Sequence, residues 1–207
     1  MYDEARVLTH SSIKIAGEKV LYFDPYEIAE ERHDADVVFV THDHYDHFSP
    51  KDIEKVQKEG TLLVLPECMK GKEKKVGGAK VRFVCLGDVI DAAGLPIQAI
   101  AAYNRMKPFH PKGKKYVGYL VTMAGITYYV AGDTDITPEN QQVSCDVALV
   151  PVGGKFTMNY KEAAELVNRI GPKLAIPTHY GTVVGSPEDG KRFEELVKEG
   201  IEVRRFI

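Results

Sequence analysis

The chain has 207 residues, 44% hydrophobic and 28% charged, which is enough for one domain with a substantial core. A formal net charge of −3 gives no general electrostatic attraction for nucleic acid or for an anionic membrane. No stretch approaches the roughly 20 apolar residues of a membrane span, and Met1-Tyr2-Asp3-Glu4-Ala5-Arg6 is too charged for a signal peptide, so a cytoplasmic protein is expected.

In chain order, apolar and β-branched runs predict strands at 19–23, 37–40, 62–65, 81–86, 97–103, 117–122, 127–131, 147–150, 174–177 and 202–206. Three amphipathic helices fall between them. The first, over 50–59, reads Ser49 as N-cap, Pro50 at the first helical position, Asp52 as capping-box acid and Gly60 as its stop. The second is capped by Asn159 with Glu162 three residues later and places Ala163, Leu166, Val167 and Ile170 on one face. The third opens at Ser186-Pro187, carries Phe193, Leu196 and Val197, and stops at Gly200.

Helices with one apolar stripe lie against a sheet, and ten strands are many for one sheet. Two sheets packed face to face with helices outside is the economical arrangement. No Ser/Gly-rich linker interrupts residues 1–207, so a single domain is expected. Cys68, Cys85 and Cys145 are widely spaced and read as reduced structural thiols, the last two buried beside strands. The run Lys70-Gly71-Lys72-Glu73-Lys74-Lys75 reads as a solvated turn.

The chemistry concentrates in Thr41-His42-Asp43-His44-Tyr45-Asp46-His47, directly after the apolar strand at 37–40. In extended backbone, side chains two apart share a face, so His42 and His44 can point at one ion as the strand ends. Asp46 and His47 fall in the turn before the helix. Imidazole and carboxylate together suit zinc, manganese or iron. Asp43, on the opposite face, reads as a supporting partner.

The spacing resembles the His-x-His-x-Asp-His signature of the metallo-β-lactamase superfamily. Within it, the likeness is greatest to the small lactonase-like branch, which includes ascorbate-phosphate lactonases and N-acyl-phosphatidylethanolamine phospholipase D relatives. Later features follow the same order. Ile126-Thr127-Tyr128-Tyr129-Val130-Ala131-Gly132-Asp133-Thr134 looks like the strand leading to a bridging aspartate, and Leu174-Ala175-Ile176-Pro177-Thr178-His179 like the late strand ending in histidine.

The resemblance implies an α/β fold, a four-layer αββα sandwich of two mixed sheets with outer helices and metals at one edge. It implies a first ion held by His42, His44 and Asp133, and a second by Asp46, His47, His179 and Asp133. The family usually supplies a further histidine ending a strand where this chain has Tyr103-Asn104. His10, in a first turn that this fold places near the metals, and His110, in the Pro-flanked loop Lys107-Pro108-Phe109-His110-Pro111, are the candidates to compensate. Each is a candidate either to bind metal or to act nearby as proton donor or substrate contact.

The expected function is a hydrolase with one or two divalent metal ions, zinc first and manganese or iron as alternatives. A metal-bound hydroxide would cleave a small ester, lactone or phosphoester. Asp46 would steer the attacking water, and His110 or His10 would protonate the leaving group. The loop Pro151-Val152-Gly153-Gly154-Lys155-Phe156-Thr157-Met158 is either a tight turn or a receiver for an anionic group of a small-molecule substrate, with Lys155 on one side and Asn104 on the other. Asp135 is expected in loop bonding. The alternatives are a nuclease acting on RNA or DNA, for which this short acidic chain has no added arm, and a non-catalytic metal-binding relative with a degenerate first site.

Overall fold

The computed structural model describes residues 2–207. Its architecture follows from side-chain alternation. Val37, Val38, Phe39 and Val40 are all buried, yet successive residues of a strand face opposite sides of the sheet. Val37 and Phe39 enter one core, and Val38 and Val40 enter another. A strand buried on both sides needs cover on both faces of its sheet.

Two sheets provide that arrangement. The first runs in the order β1 (Ala5–Thr9), β2 (Ser12–Ala16), β3 (Val20–Phe23), β4 (Ala35–Phe39), β5 (Gln57–Pro66) and β6 (Lys80–Val84). The second holds β7 (Val89–Ala92), β8 (Leu95–Ala101), β9 (Val117–Met123), β10 (Ile126–Val130), β11 (Val147–Pro151), β12 (Leu174–Thr178) and β13 (Glu202–Val203), also in chain order. Each sheet is mixed. β1 to β3 pair antiparallel and β3 to β6 parallel. Likewise β7 to β10 pair antiparallel and β10 to β13 parallel.

The central core lies between the sheets. Phe39 stacks on Phe23 at 4.7 Å and meets Tyr119 at 5.0 Å between ring centroids. The buried Tyr119 hydroxyl donates to the Val40 carbonyl at 2.7 Å, which joins the sheets through a satisfied polar atom. Outside the first sheet, α1 (Pro50–Val56) buries Ile53 and Val56 against Val38, Val40 and Leu63. Outside the second, α2 (Tyr160–Ile170) and α3 (Asp189–Glu194) bury Ala163, Leu166, Val167 and Phe193 against Ala148, Val150 and Ala175. The layers are α, β, β, α. No helix among the described residues is long and apolar enough to cross a membrane.

Several boundaries differ from expectation, each for a local reason. α1 stops at Val56 because Gln57 turns extended, at φ −69° and ψ 145°, and starts β5, so Gly60 lies within a strand. Ser49 makes no side-chain cap. Its hydroxyl donates to Asp52 at 2.6 Å, and the Asp52 carboxylate accepts the Glu27 and Ile28 amides at 3.1 and 3.2 Å, fastening the segment before β4 to the helix. β7 escapes an apolar-run search because it is an exposed edge, with Val89 71% exposed. β1 alternates buried and exposed residues and forms a hairpin with β2 across the two-residue turn His10-Ser11. α3 is shorter than expected and leaves Leu196 exposed. Cys85 is exposed beside Glu67 rather than buried, as is Cys68, and Cys145 is half-buried.

α2 has the capping box read from its sequence. Asn159 Oδ1 accepts the Lys161 and Glu162 amides at 2.9 and 3.1 Å, and Glu162 accepts the Asn159 amide at 2.8 Å. Asn159→Ala is expected to cost about 1 kcal/mol in urea unfolding with an unchanged denaturant slope. A loss below a few tenths would show that the cap contributes nothing beyond tertiary packing.

Candidate metal centre

Six of the seven histidines gather where strands of both sheets end. His42, His44 and His47 follow β4, Asp133 follows β10, His179 follows β12, and His10 sits at the tip of the β1–β2 hairpin. His110 arrives from the loop after β8. Sites just beyond the carboxyl ends of parallel strands are common in open α/β sheets, because the strands fix the departure points of the loops. His33 lies elsewhere, exposed and bonded to the Gln57 carbonyl.

The donors form two sets. In the first, His44 Nδ1 lies 3.1 Å from His42 Nε2 and 3.0 Å from His110 Nε2, and the latter two are 3.3 Å apart. Three ring nitrogens facing one point cannot all satisfy one another with hydrogen bonds. Donors about 2.0–2.1 Å from one ion at tetrahedral angles stand roughly 3.3 Å apart, so the spacing fits a shared cation. In the second set, Asp46 Oδ2 lies 3.2 Å from His10 Nε2, 3.7 Å from His47 Nε2 and 3.8 Å from His179 Nε2.

Asp133 stands between them. Its Oδ2 is 3.3 Å from His110 Nε2 and 3.1 Å from His179 Nε2, and its Oδ1 is 3.3 Å from His47 Nε2. Despite that crowding, His47 Nε2, Asp133 Oδ1 and His179 Nε2 are buried without a hydrogen-bond partner. Buried polar atoms are rarely left so, and a cation satisfies all of them at once.

The protonation states suit this use. Burial opposes ionisation of Asp133, but the His179 and His47 imidazoles outweigh it and hold the carboxyl well below its usual range. Burial likewise works against Asp46, which the His10 bond and His47 bring down to about 2. Burial pushes His110 down to about 4 and holds His42 well below its usual value, leaving neutral rings with free lone pairs. His47 is the exception. Asp133 and Asp24 on its two sides overcome burial and raise it well above the usual value.

Asp24 carries no signal as a ligand in the sequence, yet it sets the orientation of His47. Its Oδ2 accepts from His47 Nδ1 at 2.7 Å and from Thr41 Oγ1 at 2.7 Å, while Oδ1 accepts the Thr41 amide at 2.8 Å. That fixes the His47 ring with Nε2 toward Asp133, the usual part of an outer partner at a metal site. An acid closing an apolar strand before Pro25 was the available clue. On the other side Thr182 faces His10 Nδ1 at 3.2 Å. Gly153 packs so closely that a Cβ there would come 2.1 Å from the His179 carbonyl oxygen, so the end of β12 requires a glycine opposite it.

Other sequence-derived candidates fall differently. His110, read as a leaving-group acid, has both ring nitrogens committed, Nε2 in the first set and Nδ1 3.2 Å from the Phe156 carbonyl. It converges with His42 and His44 on one point. Asn104, read as a substrate contact, is buried and does not line the cavity. Its amide donates to the carbonyls of Pro108, Phe109 and Phe156, at 3.3, 3.3 and 2.6 Å, and holds the His110 loop closed. Lys155 points away, exposed, with its ammonium 4.9 Å from the Phe156 ring. The amides of Gly154 and Thr157 bond within the loop, to the Met158 and Gly154 carbonyls at 3.0 Å each, as in a tight turn. Asp43 accepts from Lys72 and, at 2.7 Å, from the Tyr116 hydroxyl, a supporting place. Asp135 bonds the Arg105 amide at 3.0 Å and Lys107.

A cavity of about 400 Å³ opens onto both sets, with His44, Asp46, His110, Asp133 and His179 on its floor. This lies within the range of roughly 300–1,000 Å³ typical of small-molecule sites. A depression of about 620 Å³ on the outer face of the second sheet, near Leu120 and Val143, contains none of these histidines.

A four-layer sandwich with a His/Asp centre at its strand-end edge defines the class: a metal-dependent hydrolase of metallo-β-lactamase fold. Residues 5–179 match the family model of the beta-lactamase superfamily domain, and the chain belongs to that superfamily. It is 30% identical to a UPF0173 metal-dependent hydrolase of Thermococcus kodakarensis over 97% of this chain and 94% of the relative. It is 34% identical to another from Nitratidesulfovibrio vulgaris, over 95% and 88%. The solved structure of the metallo hydrolase Igni18 from Ignicoccus hospitalis shares the fold, with a TM-score of 0.76 and 20% identity over 98% of this chain and 94% of that one.

Asp24→Asn keeps the shape beside His47 and removes the charge. Metal affinity, read by competition with a chromogenic chelator, is expected to fall by about 10- to 100-fold. Unchanged affinity would show that Asp24 does not orient the ring.

Proposed function

We propose that this hydrolase holds two divalent ions, zinc first and manganese or iron as alternatives, and cleaves a small ester, lactone or phosphoester. The observation that carries the reading is Asp133 standing between two convergent donor sets, His42/His44/His110 on one side and His10/Asp46/His47/His179 on the other. In this reading residues 1–207 form one unit serving one site in the cytoplasm, and the lactonase-like branch is its nearest functional analogue.

Bound ions supply Lewis acidity and lower the pKa of water toward neutrality. The chain's own residues do the rest. Among the described residues, the cavity wall holds no Ser, Thr, Cys or Lys, and its His and Asp side chains belong to the donor sets or, for Asp43, are bonded to Lys72 and Tyr116, which supports water as the nucleophile. Asp46, which lines the cavity, accepts a hydrogen bond from that water and aims it at the carbonyl or phosphoryl centre. Water adds and gives up a proton, the bond to the leaving oxygen breaks, and the leaving oxygen takes up that proton, so the step consumes one water and no other reactant. Thr182 faces His10 Nδ1 at 3.2 Å, which fixes the ring with Nε2 toward the second set. The nuclease alternative lacks support, because no Arg or Lys among the described residues lines the cavity to meet a phosphate backbone.

Elemental analysis of protein saturated with zinc and dialysed tests the reading. About two ions per chain are expected for the wild type and about one for His110→Ala, with circular dichroism confirming a folded variant. Two ions retained in His110→Ala would remove His110 from the ligand set. Fewer than one in the wild type would overturn the binuclear reading.

A further inference from the structure

The substrate class can be narrowed from the walls of the cavity above the donors, an inference that rests on the hydrolase reading. We infer that the site takes substrates whose reacting bond carries an uncharged, apolar arm, an aliphatic chain or an aryl group, rather than an anionic one.

Above the imidazoles the wall is apolar on two sides. Phe109 and Phe156 meet edge to face, with centroids 5.2 Å apart at 85°, and the Phe109 ring stands perpendicular to His44 at 6.2 Å. Val183 and Val184 line the cavity from the segment after His179, and Tyr45 rises between His44 and Asp46. Large apolar side chains are exposed here, with Phe109 59%, Val183 39% and Tyr45 67% accessible. Single exposed apolar residues are ordinary on a surface. Several converging around one opening above a polar floor form the lining of a site for an apolar ligand.

The charges exclude the opposite preference. Asp46 and Asp133 belong to the donor sets, Asp43 is the other acid on the wall, and no Lys or Arg among the described residues stands with them. Nearby cations are committed elsewhere. Lys72 pairs with Asp43, Lys107 with Asp135 and Glu162, and Lys155, with its ammonium 4.9 Å from the Phe156 ring centroid, does not line the cavity. An anionic arm would meet aromatic and aliphatic side chains with no cationic side chain to receive it, while an apolar arm of the same length sheds water from both surfaces. The wall is also built into the donor set. The Phe156 carbonyl receives Asn104 and faces His110 Nδ1, at 2.6 and 3.2 Å, so the aromatic wall keeps a fixed place beside the first set.

The test uses hydroxamates, which chelate zinc at one end and carry an arm at the other. Zinc-loaded protein is titrated calorimetrically with acetohydroxamate, octanohydroxamate and the eight-carbon hydroxamate that ends in a carboxylate. Affinity is expected to rise about fourfold per buried methylene from the first to the second. The carboxylate-tailed compound should bind at least about tenfold more weakly than octanohydroxamate, because the wall offers its charge no partner. In Val183→Asp and Phe109→Ala, both exposed positions, the ratio of octano- to acetohydroxamate affinity should shrink. Acetohydroxamate binding with no gain from chain length, or a tighter carboxylate-tailed compound, would overturn this inference and leave the metal centre standing. Absence of both zinc and hydroxamate binding would instead overturn the proposed function and this inference with it.

Discussion

The buried carboxylate of Asp133 is the constraint around which the site edge is arranged. It is 3% exposed, and an ionised group taken out of water is tolerable only when opposite charge or donors surround it. His179 and His47 supply this at 3.1 and 3.3 Å, while the lone pairs of the neutral His110 and His42 rings, at 3.3 and 3.9 Å, suit a shared cation. They come from the turn after β4, the loop after β8 and the end of β12, while Asp133 follows β10. No single sheet brings these together. The sandwich does, since the two sheets present their strand ends along a common edge.

Backbone hydrogen bonds across that edge convert proximity into position. The His179 amide donates to the His10 carbonyl at 3.0 Å, joining β12 to the hairpin tip of the other sheet, and the Val117 amide reaches the Thr41 carbonyl at 3.2 Å. The Asn104 amide donates to the His110 carbonyl at 2.8 Å and closes the loop on itself. Buried backbone groups need partners in any case. Here the partners lie on the opposite sheet or across a functional loop, so one set of bonds satisfies the main chain and fixes the imidazoles.

The parts legible in the sequence were those governed by local rules. Apolar and β-branched runs located ten strands, the Asn159–Glu162 capping box located α2, and the His42–His47 run pointed to metal because its residue types and spacing suit a cation at a strand end. Less legible was whatever depended on distant partners. β1 and β2 are five residues each, neither is a continuous apolar run, and β3 extends their hairpin into a sheet. Asn104 reads as a polar strand end, and only the folded loop shows its amide spent on three carbonyls. Lys155 follows a Gly-Gly pair that resembles an anion loop, yet the direction of its side chain is set by a positive φ of 47°. His110 was visible as a candidate but not its role, because the six residues after Asn104 reveal no direction until the loop closes.

Backbone strain follows the same map. His10, Asp24, His110 and His179 have φ of 48°, 46°, 50° and 58°, a region that costs a non-glycine residue of order 1–3 kcal/mol. Each of these side chains faces the donor sets or supports one, and His10, Asp24 and His179 depart from strand or hairpin ends while His110 lies in the loop after β8. The left-handed turn is what redirects the chain inward. The sandwich core offsets this strain through burial alone, since most of its aromatic and aliphatic contacts lie away from the site edge. The His110 loop has less of that support. Phe109 and His110 are consecutive left-handed residues, at 63° and 50°, and Asn104 and the Phe156 carbonyl are their main restraints. Of the two donor sets, the first therefore depends on a loop whose order is coupled to whatever fills it, because energy gained by a ligand at His110 is energy that holds the loop closed. The second set rests on strand and hairpin ends joined by main-chain bonds and keeps its shape from the fold itself.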